Sequence, residues 1–264
     1  MHAAADFGNK TQNTMKVLEE YAIESSIAKV YGSEMLDFVV DEAVQIFGGY
    51  GFHEDYPVCR AYRDSRINRI FEGTNEINRM LIIQMLMKRA MSGQLALIPA
   101  AMKLADEILA GPSFEEAPDG VLAEEVRVLA NAKKMFLQAA GGAVQRFREK
   151  LAEEQELIGA LANIVIEIYA MESTLLRAQK AAATKGEAAS VMIDAARVFI
   201  ANAAERVDHE AKRAISAVHE GDMLMTQMAV LKRFGKRPAV DTIALRRRIA
   251  AAVQAQDKYP FEGR

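Results

Sequence analysis

A single acidic side chain, Glu72, stands in a short stretch that is otherwise polar, apolar or basic and runs from Ile67 to Gly73. Apolar neighbours such as Ile70 and Phe71 would partly desolvate its carboxylate, and desolvation raises the proton affinity of an acid. A carboxylate tuned in this way is suited to remove a proton from a weakly acidic carbon. The alternative is a surface glutamate that precedes a helix and has no chemical role.

The residues that follow Glu72 are suited to bring a ligand close to the backbone. Gly73 carries no side chain, which leaves room for a ligand beside the main chain. Thr74 is a good helix N-cap, and the free amide groups at a helix start attract anions. The pattern therefore places Glu72 at an interruption between two predicted helices, next to a helix N-terminus.

A second stretch suited to ligand contact is Gly48-Gly49-Tyr50-Gly51, which follows a long helical pattern. Glycine lets the backbone approach a phosphate closely. The stretch is not a dinucleotide fingerprint because no strand precedes it, and the alternative is a plain helix stop. His53 and Cys59 have no partner at metal-ligand spacing, so the sequence predicts no metal site.

Helical periodicity runs through nearly every segment, so we predict an all-α fold. The first 13 residues are predicted to be a loop. The predicted helices are 15–47, 58–66, 74–91, 99–110, 119–151, 155–184, 187–219, 222–234 and 239–256. Gly111-Pro112 and Pro118-Asp119-Gly120 predict breaks. The long helices beyond residue 155 carry apolar stripes on one face, which is typical of a bundle core.

The composition narrows the functional classes. The net charge of the 264 residues is −3, which does not favour nucleic acid as a partner. The single cysteine excludes an internal disulfide. No apolar stretch approaches the roughly 20 residues of a membrane span, and no signal peptide is visible at the start. We therefore expect a protein of the cytoplasm or of an organelle interior.

Two segments, in this order and spacing, resemble the acyl-CoA dehydrogenase family. Residues 41–52 look like the end of a core helix in that family's C-terminal helical domain, and residues 63–67 with 70–77 look like its catalytic segment. The resemblance covers about residues 15–91. The rest of the chain is similar to the very-long-chain branch, which has an additional helical domain. We therefore predict a truncated C-terminal helical bundle over residues 1–98 and a second helical bundle over 99–264.

The resemblance implies a flavin-dependent enzyme that introduces a trans-2,3 double bond into a long-chain fatty acyl-CoA during fatty acid β-oxidation. Glu72 would be the catalytic base, its amide would help hold the thioester carbonyl, and Gly73 would contact the substrate. The residues implied to bind FAD are Gln45, Ile46, Phe47, Gly48 and Gly49, which would meet the cofactor of a neighbouring subunit, and Thr74, Asn75 and Glu76.

The family's N-terminal helical domain and middle β-domain do not fit in residues 1–14, so we expect the isolated chain to be inactive and to bind FAD weakly or not at all. The implied partners are fatty acyl-CoA, electron-transfer flavoprotein and a second copy of the chain, joined as a homodimer through the helical domain. The implied location is the cytoplasm of a bacterium, or the matrix or inner-membrane surface of a mitochondrion.

The basic cluster Arg246-Arg247-Arg248 is either a solvated face or a contact with an acidic partner or a membrane surface. Two other functions remain open for the chain as a whole. One is a non-catalytic helical module for self-association or for docking to a membrane or partner. The other is an acyl-CoA oxidase, which shares the fold and the base but passes its electrons to oxygen.

Overall fold

The computed structural model describes residues 2–111, 119–257, 259 and 261. The breaks predicted at Pro112 and Pro118 lie outside these residues. The described residues form helices and connecting turns and contain no strand, which confirms the predicted all-α fold. The chain divides into two compact units, Met1–Leu95 and Ala96–Arg264.

The first unit is built around one long helix that packs against two others. Its helices are α1 (His2–Glu20), α2 (Ala22–Phe47), α3 (Gly49–Phe52), α4 (Pro57–Ser65) and α5 (Asn75–Met91), and a 3-10 helix (Arg66–Arg69) follows α4. Helix α2 packs against α4 and α5. The buried apolar side chains of α2 and α5 are Ile23, Ile27, Val30, Val40, Ile82, Ile83 and Ala90. This small core fixes where α5 begins relative to α2.

The loop predicted over residues 1–13 is wrong, because α1 begins at His2. Three consecutive alanines favour a helix, and the one glycine in this stretch, Gly8, weakens a helix without ending it. The single helix predicted over 15–47 is also wrong, since the chain turns at Tyr21. Arg89 of α5 donates to the carbonyls of Glu19 and Glu20. These carbonyls lie at the C-terminal end of α1, where the carbonyl groups of a helix have no partner within the helix.

The second unit is a helical bundle. Its helices are α6 (Leu97–Ala110), α7 (Ala123–Phe147), α8 (Gln155–Lys185), α9 (Ser190–Val218), α10 (Gly221–Phe234) and α11 (Thr242–Gln256). Helices α7, α8 and α9 pack against one another, while α10 packs on α7 and α9 and α11 packs on α9. The predicted helix 119–151 is shorter in the structure, because a 3-10 helix, Arg148–Glu153, follows α7.

The apolar stripes predicted on the long helices form the core of this bundle. The largest fully buried side chains of α8 and α9 are Leu161, Ile164, Met171, Ile200, Val207 and Ile215. By length and composition, a stretch within Gln155–Val218 is apolar enough to cross a membrane, with a mean hydropathy of 1.3. The core helices of a bundle pass the same test, and these helices bury their apolar faces against each other.

Candidate functional site

Glu72 lies in a tight turn between the 3-10 helix and α5. The backbone φ is 54° at Glu72 and 81° at Gly73, so two consecutive residues are left-handed. A residue other than glycine adopts this conformation at a cost of about 1–2 kcal/mol. The Glu72 side chain is exposed, and Ile70 and Phe71 are 49% and 44% exposed. These two neighbours therefore do not provide the desolvation expected from the sequence.

The backbone of this turn is held at one end and free at the other. The carbonyl of Gly73 accepts hydrogen bonds from Lys29 Nζ at 2.7 Å and from Asn78 Nδ2 at 2.9 Å. The amide of Glu72 donates to none of the described residues. The turn thus has a fixed carbonyl and an unpaired amide beside an exposed carboxylate.

Thr74 is the N-cap of α5, as predicted, because its hydroxyl oxygen accepts a hydrogen bond from the amide of Ile77 at 3.3 Å. Glu76 lies in the first turn of this helix and is exposed. A hydrogen bond from its own backbone amide lowers the pKa of Glu76, and the Thr74 hydroxyl and the nearby Arg79 act in the same direction. An ionised carboxylate is favourable at a helix N-terminus.

Asn75 lies inside the unit, with 1% of its surface exposed. Its Oδ1 accepts from Lys29 Nζ at 2.7 Å, while its Nδ2 donates to Ser33 Oγ at 2.9 Å and to Glu34 Oε1 at 3.1 Å. The side chain is therefore used within the unit, and Asn75 offers a ligand only its main chain. Sequence reasoning missed Lys29, Ser33 and Glu34; the four-residue spacing of Lys29 and Ser33 on α2 was the available signal.

The glycine-rich stretch has two glycines that the fold requires and one that it does not. Gly48 has a φ of 60° and ends α2. A Cβ at Gly51 would lie 2.7 Å from the Val44 carbonyl, so this position has no room for a side chain. Gly49 has a negative φ and no neighbour within 4 Å of a Cβ. Nothing within the described part of the unit explains a glycine at position 49.

The predicted cofactor segment before these glycines is open to solvent. Gln45 and Phe47 are exposed, and Ile46 is 82% exposed. Within the described residues, no hydrogen bond or ion pair joins the stretch 45–49 to the turn at Glu72. The two groups of predicted FAD-binding residues therefore share no hydrogen bond or ion pair among the described residues, and the resemblance assigns the first group to the cofactor of a neighbouring subunit.

Neither a metal site nor a second site for the predicted residues is found in the part of the chain that the structure describes. No group of three or more histidine, cysteine, aspartate or glutamate side chains lies close enough there to hold a metal ion. A cleft of about 1140 Å³ lies in the second unit, between α7, α9 and the connection from α10 to α11. Arg246 of the basic cluster lines this cleft, but none of the residues predicted to act in catalysis or to bind the substrate or FAD does.

Comparison with known proteins identifies the family. Two models described as acyl-CoA dehydrogenase, C-terminal domain, match residues 2–87 and 131–233. A probable acyl-CoA dehydrogenase of Bacillus subtilis (strain 168) is 43% identical over 245 residues, which are 92% of this chain and 41% of that protein. The chain belongs to the acyl-CoA dehydrogenase family. The Glu72 turn lies inside the first matched range, and helices α7 to α9 lie largely inside the second.

Two further family members extend the comparison. The crystal structure of an acyl-CoA dehydrogenase complexed with FAD from Bacillus anthracis matches with a TM-score of 0.88 and a sequence identity of 43%. The match covers 91% of this chain and 41% of the Bacillus anthracis chain. The mitochondrial very long-chain specific acyl-CoA dehydrogenase of Rattus norvegicus is 30% identical over 179 residues, 61% of this chain and 27% of that protein. The chain thus spans less than half the length of these relatives.

Proposed function

We propose that this chain supplies the C-terminal part, with the catalytic base, of a flavin-dependent dehydrogenase that introduces a trans-2,3 double bond into a long-chain fatty acyl-CoA. The observation that carries the proposal is the conformation of Glu72, an exposed carboxylate at a φ of 54°. Glycine would adopt this φ without strain. Such strain is common at functional sites, and at Glu72 it accompanies an exposed carboxylate that directly precedes a glycine and the start of α5, whereas Leu122, Arg148 and Asp257 share the left-handed φ without that setting.

The residues of the turn have distinct roles in the proposed reaction. Glu72 removes the proton from the α-carbon of the acyl thioester. The unpaired Glu72 amide donates a hydrogen bond to the thioester carbonyl and stabilises the negative charge that develops there. Gly73 has no side chain, so the substrate can contact the main chain at this position. FAD, when bound, accepts the hydride that leaves the β-carbon.

The residues proposed to hold FAD fit a flat, anionic cofactor. Ile46 and Phe47 are apolar and exposed, and Gly49 has open space where a side chain would stand. At the start of α5, Thr74 and Asn75 present main-chain groups at a helix N-terminus, which favours a phosphate. Gln45 and Gly48 complete the first segment and Glu76 the second.

The long-chain type is also part of the proposal. The similarity to the rat very long-chain enzyme runs over 179 residues, more than the whole first unit of 95 residues, so it extends into the second unit.

The further proposals are a division into domains at 1–98 and 99–264, electron-transfer flavoprotein as the electron acceptor, and homodimerisation through the helical domain. They also include a cytoplasmic or mitochondrial location and an inactive isolated chain.

The test is the Glu72→Gln variant of the dehydrogenase that carries this chain, assayed with a long-chain acyl-CoA and an artificial electron acceptor. The amide keeps the size of the side chain but cannot take a proton, so we expect turnover to fall about 100- to 10,000-fold. FAD content and acyl-CoA binding should be retained. The matched control is Glu54→Gln, which removes an exposed carboxylate elsewhere in the first unit. Near-normal turnover of Glu72→Gln would contradict the proposal.

A further inference from the structure

The turn that carries Glu72 has almost no packing to hold it in a strained conformation. Glu72, Gly73, Ile70 and Phe71 are all exposed. Two consecutive left-handed residues in an exposed turn relax readily unless specific bonds restrain them. Specific bonds must therefore fix the peptide groups around Glu72.

The restraint comes from α2, 44 residues earlier in the chain. Lys29 Nζ donates to the carbonyl of Gly73 at 2.7 Å and to Asn75 Oδ1 at 2.7 Å, so one ammonium group bridges the turn and the first residue of α5. Charged donors form the stronger class of hydrogen bond. A bond of this kind fixes the direction of the carbonyl that follows Glu72 by one residue.

Asn75 is itself held rigidly, which makes the bridge stiff. Its side-chain amide donates to Ser33 Oγ and Glu34 Oε1, and Glu34 forms an ion pair with Arg79 at 2.8 Å. Ser33, Glu34 and Lys29 all belong to α2, and Asn75 and Arg79 both belong to α5. The network thus anchors the turn to two packed helices.

We propose that Lys29 is a positioning residue, which acts through the Gly73 carbonyl to hold the Glu72 carboxylate where it reaches the substrate. The inference rests on the proposed function, because it assigns Lys29 to the same site. The physical reason is that a displacement of about 1 Å at a reacting group costs about 100-fold in rate. Asn78, the second donor to the same carbonyl, supports Lys29.

The first test needs no catalytic activity and uses the full chain. Amide hydrogen exchange is measured for Ile77 and Asn78, whose amides are bonded to Thr74 at the start of α5. We expect Lys29→Met to speed this exchange by about tenfold or more, as for the loss of a hydrogen bond to a charged group. The matched control is Lys88→Met, which removes another lysine bond of the same unit, to Glu19 at 2.6 Å, and should leave these amides unchanged.

The second test measures turnover in the dehydrogenase that carries this chain. Lys29→Met should lower kcat by about 10- to 100-fold with a much smaller change in KM, because the turn is displaced while the rest of the substrate site is kept. Lys29→Arg keeps a cationic donor and should regain most of kcat. If Lys29→Met does not fold, Asn78→Ala removes the other bond to the Gly73 carbonyl and should change exchange and kcat in the same direction.

The outcomes separate this inference from the proposed function. Wild-type exchange and wild-type kcat in Lys29→Met, or in Asn78→Ala where that variant replaces it, would overturn the positioning role. Equal effects of Lys29→Met and Lys88→Met would overturn it too, since they would indicate a general loss of stability. If Glu72→Gln keeps its turnover, the proposed function fails instead, whatever the exchange experiment shows.

Discussion

At the scale of single residues, the site combines a strained residue with a strong restraint. Glu72 stands at a φ of 54° that suits glycine, and Lys29 and Asn78 hold the next carbonyl in place. Glycine would adopt this φ without strain, so the glutamate at position 72 costs the fold about 1–2 kcal/mol.

This view predicts an order of stability for two substitutions at position 72. Glu72→Gly removes the strain of the left-handed conformation, whereas Glu72→Ala keeps it. We expect the glycine variant to be more stable than the alanine variant by about 1 kcal/mol in the free energy of unfolding. Urea denaturation of the full chain, followed by circular dichroism, measures the difference. Equal stabilities, or a more stable alanine variant, would show that the turn is not strained.

The sequence was sufficient for the residues whose signals are local. The break at Glu72-Gly73 and the cap at Thr74 depend on neighbours within a few positions, and the structure has both. The burial of Asn75 and its bond to Lys29 could not be predicted, because the two residues are 46 positions apart. Only the packing of α2 on α5 brings them together.

For the helices, local sequence propensity predicted which segments are helical better than it predicted the residues at which each helix begins and ends. Helices α8 and α9 were predicted within a few residues because glycine or a polar cluster marks their ends. The turn at Tyr21 was missed since no glycine or proline stands there, and Arg89, which binds the end of α1, is about 70 positions away. Helix α1 was missed because the polar residues and the single glycine over residues 6–13 resemble a loop in composition.

Two neighbouring glycines in α7 give a matched test of helix packing. A Cβ at Gly142 would lie 2.8 Å from His219 Nε2 and 3.3 Å from Val218 Cγ1, at the end of α9, while a Cβ at Gly141 has no neighbour within 4 Å. Burial lowers the pKa of His219, as expected for a ring packed at this point.

We expect Gly141→Ala to raise the free energy of unfolding by about 0.5–1 kcal/mol, because alanine favours the helix. Gly142→Ala should lose this gain, since the ring of His219 must move to admit the methyl group. Urea denaturation of both variants of the full chain measures the difference. A Gly142→Ala variant as stable as Gly141→Ala would mean that α7 and α9 do not pack closely here.

At the scale of the whole molecule, the basic cluster near the end of the chain divides into two kinds of arginine. Arg248 forms two bonds to the mostly buried Asp194 of α9, at 2.7 and 2.8 Å, and these bonds raise its pKa. Arg246 and Arg247 are exposed and have no ion-pair partner among the described residues. Only these two are available to an anionic surface.

The alternative that the basic cluster of α11 contacts a membrane surface is therefore tested with the double variant Arg246→Gln, Arg247→Gln. At about 1 kcal/mol for each arginine near an anionic bilayer, we expect the affinity for vesicles to fall roughly 30-fold at low salt. Co-sedimentation with vesicles that contain anionic lipid measures this, with neutral vesicles as the control. No binding by the unaltered chain, or equal binding by the double variant, would leave the cluster as a solvated face. Arg248 is kept because its loss would disturb the attachment of α11 to α9.

The most direct test of the central claim is α-hydrogen exchange catalysed by Glu72. The dehydrogenase that carries this chain is incubated in deuterated water with an acyl-CoA analogue whose β-position has no hydrogen, so that proton removal occurs without oxidation. We expect the unaltered enzyme to exchange the α-hydrogens for deuterium and Glu72→Gln to do so at least about 100-fold more slowly. Exchange by Glu72→Gln at the rate of the unaltered enzyme would contradict the assignment of Glu72 as the base.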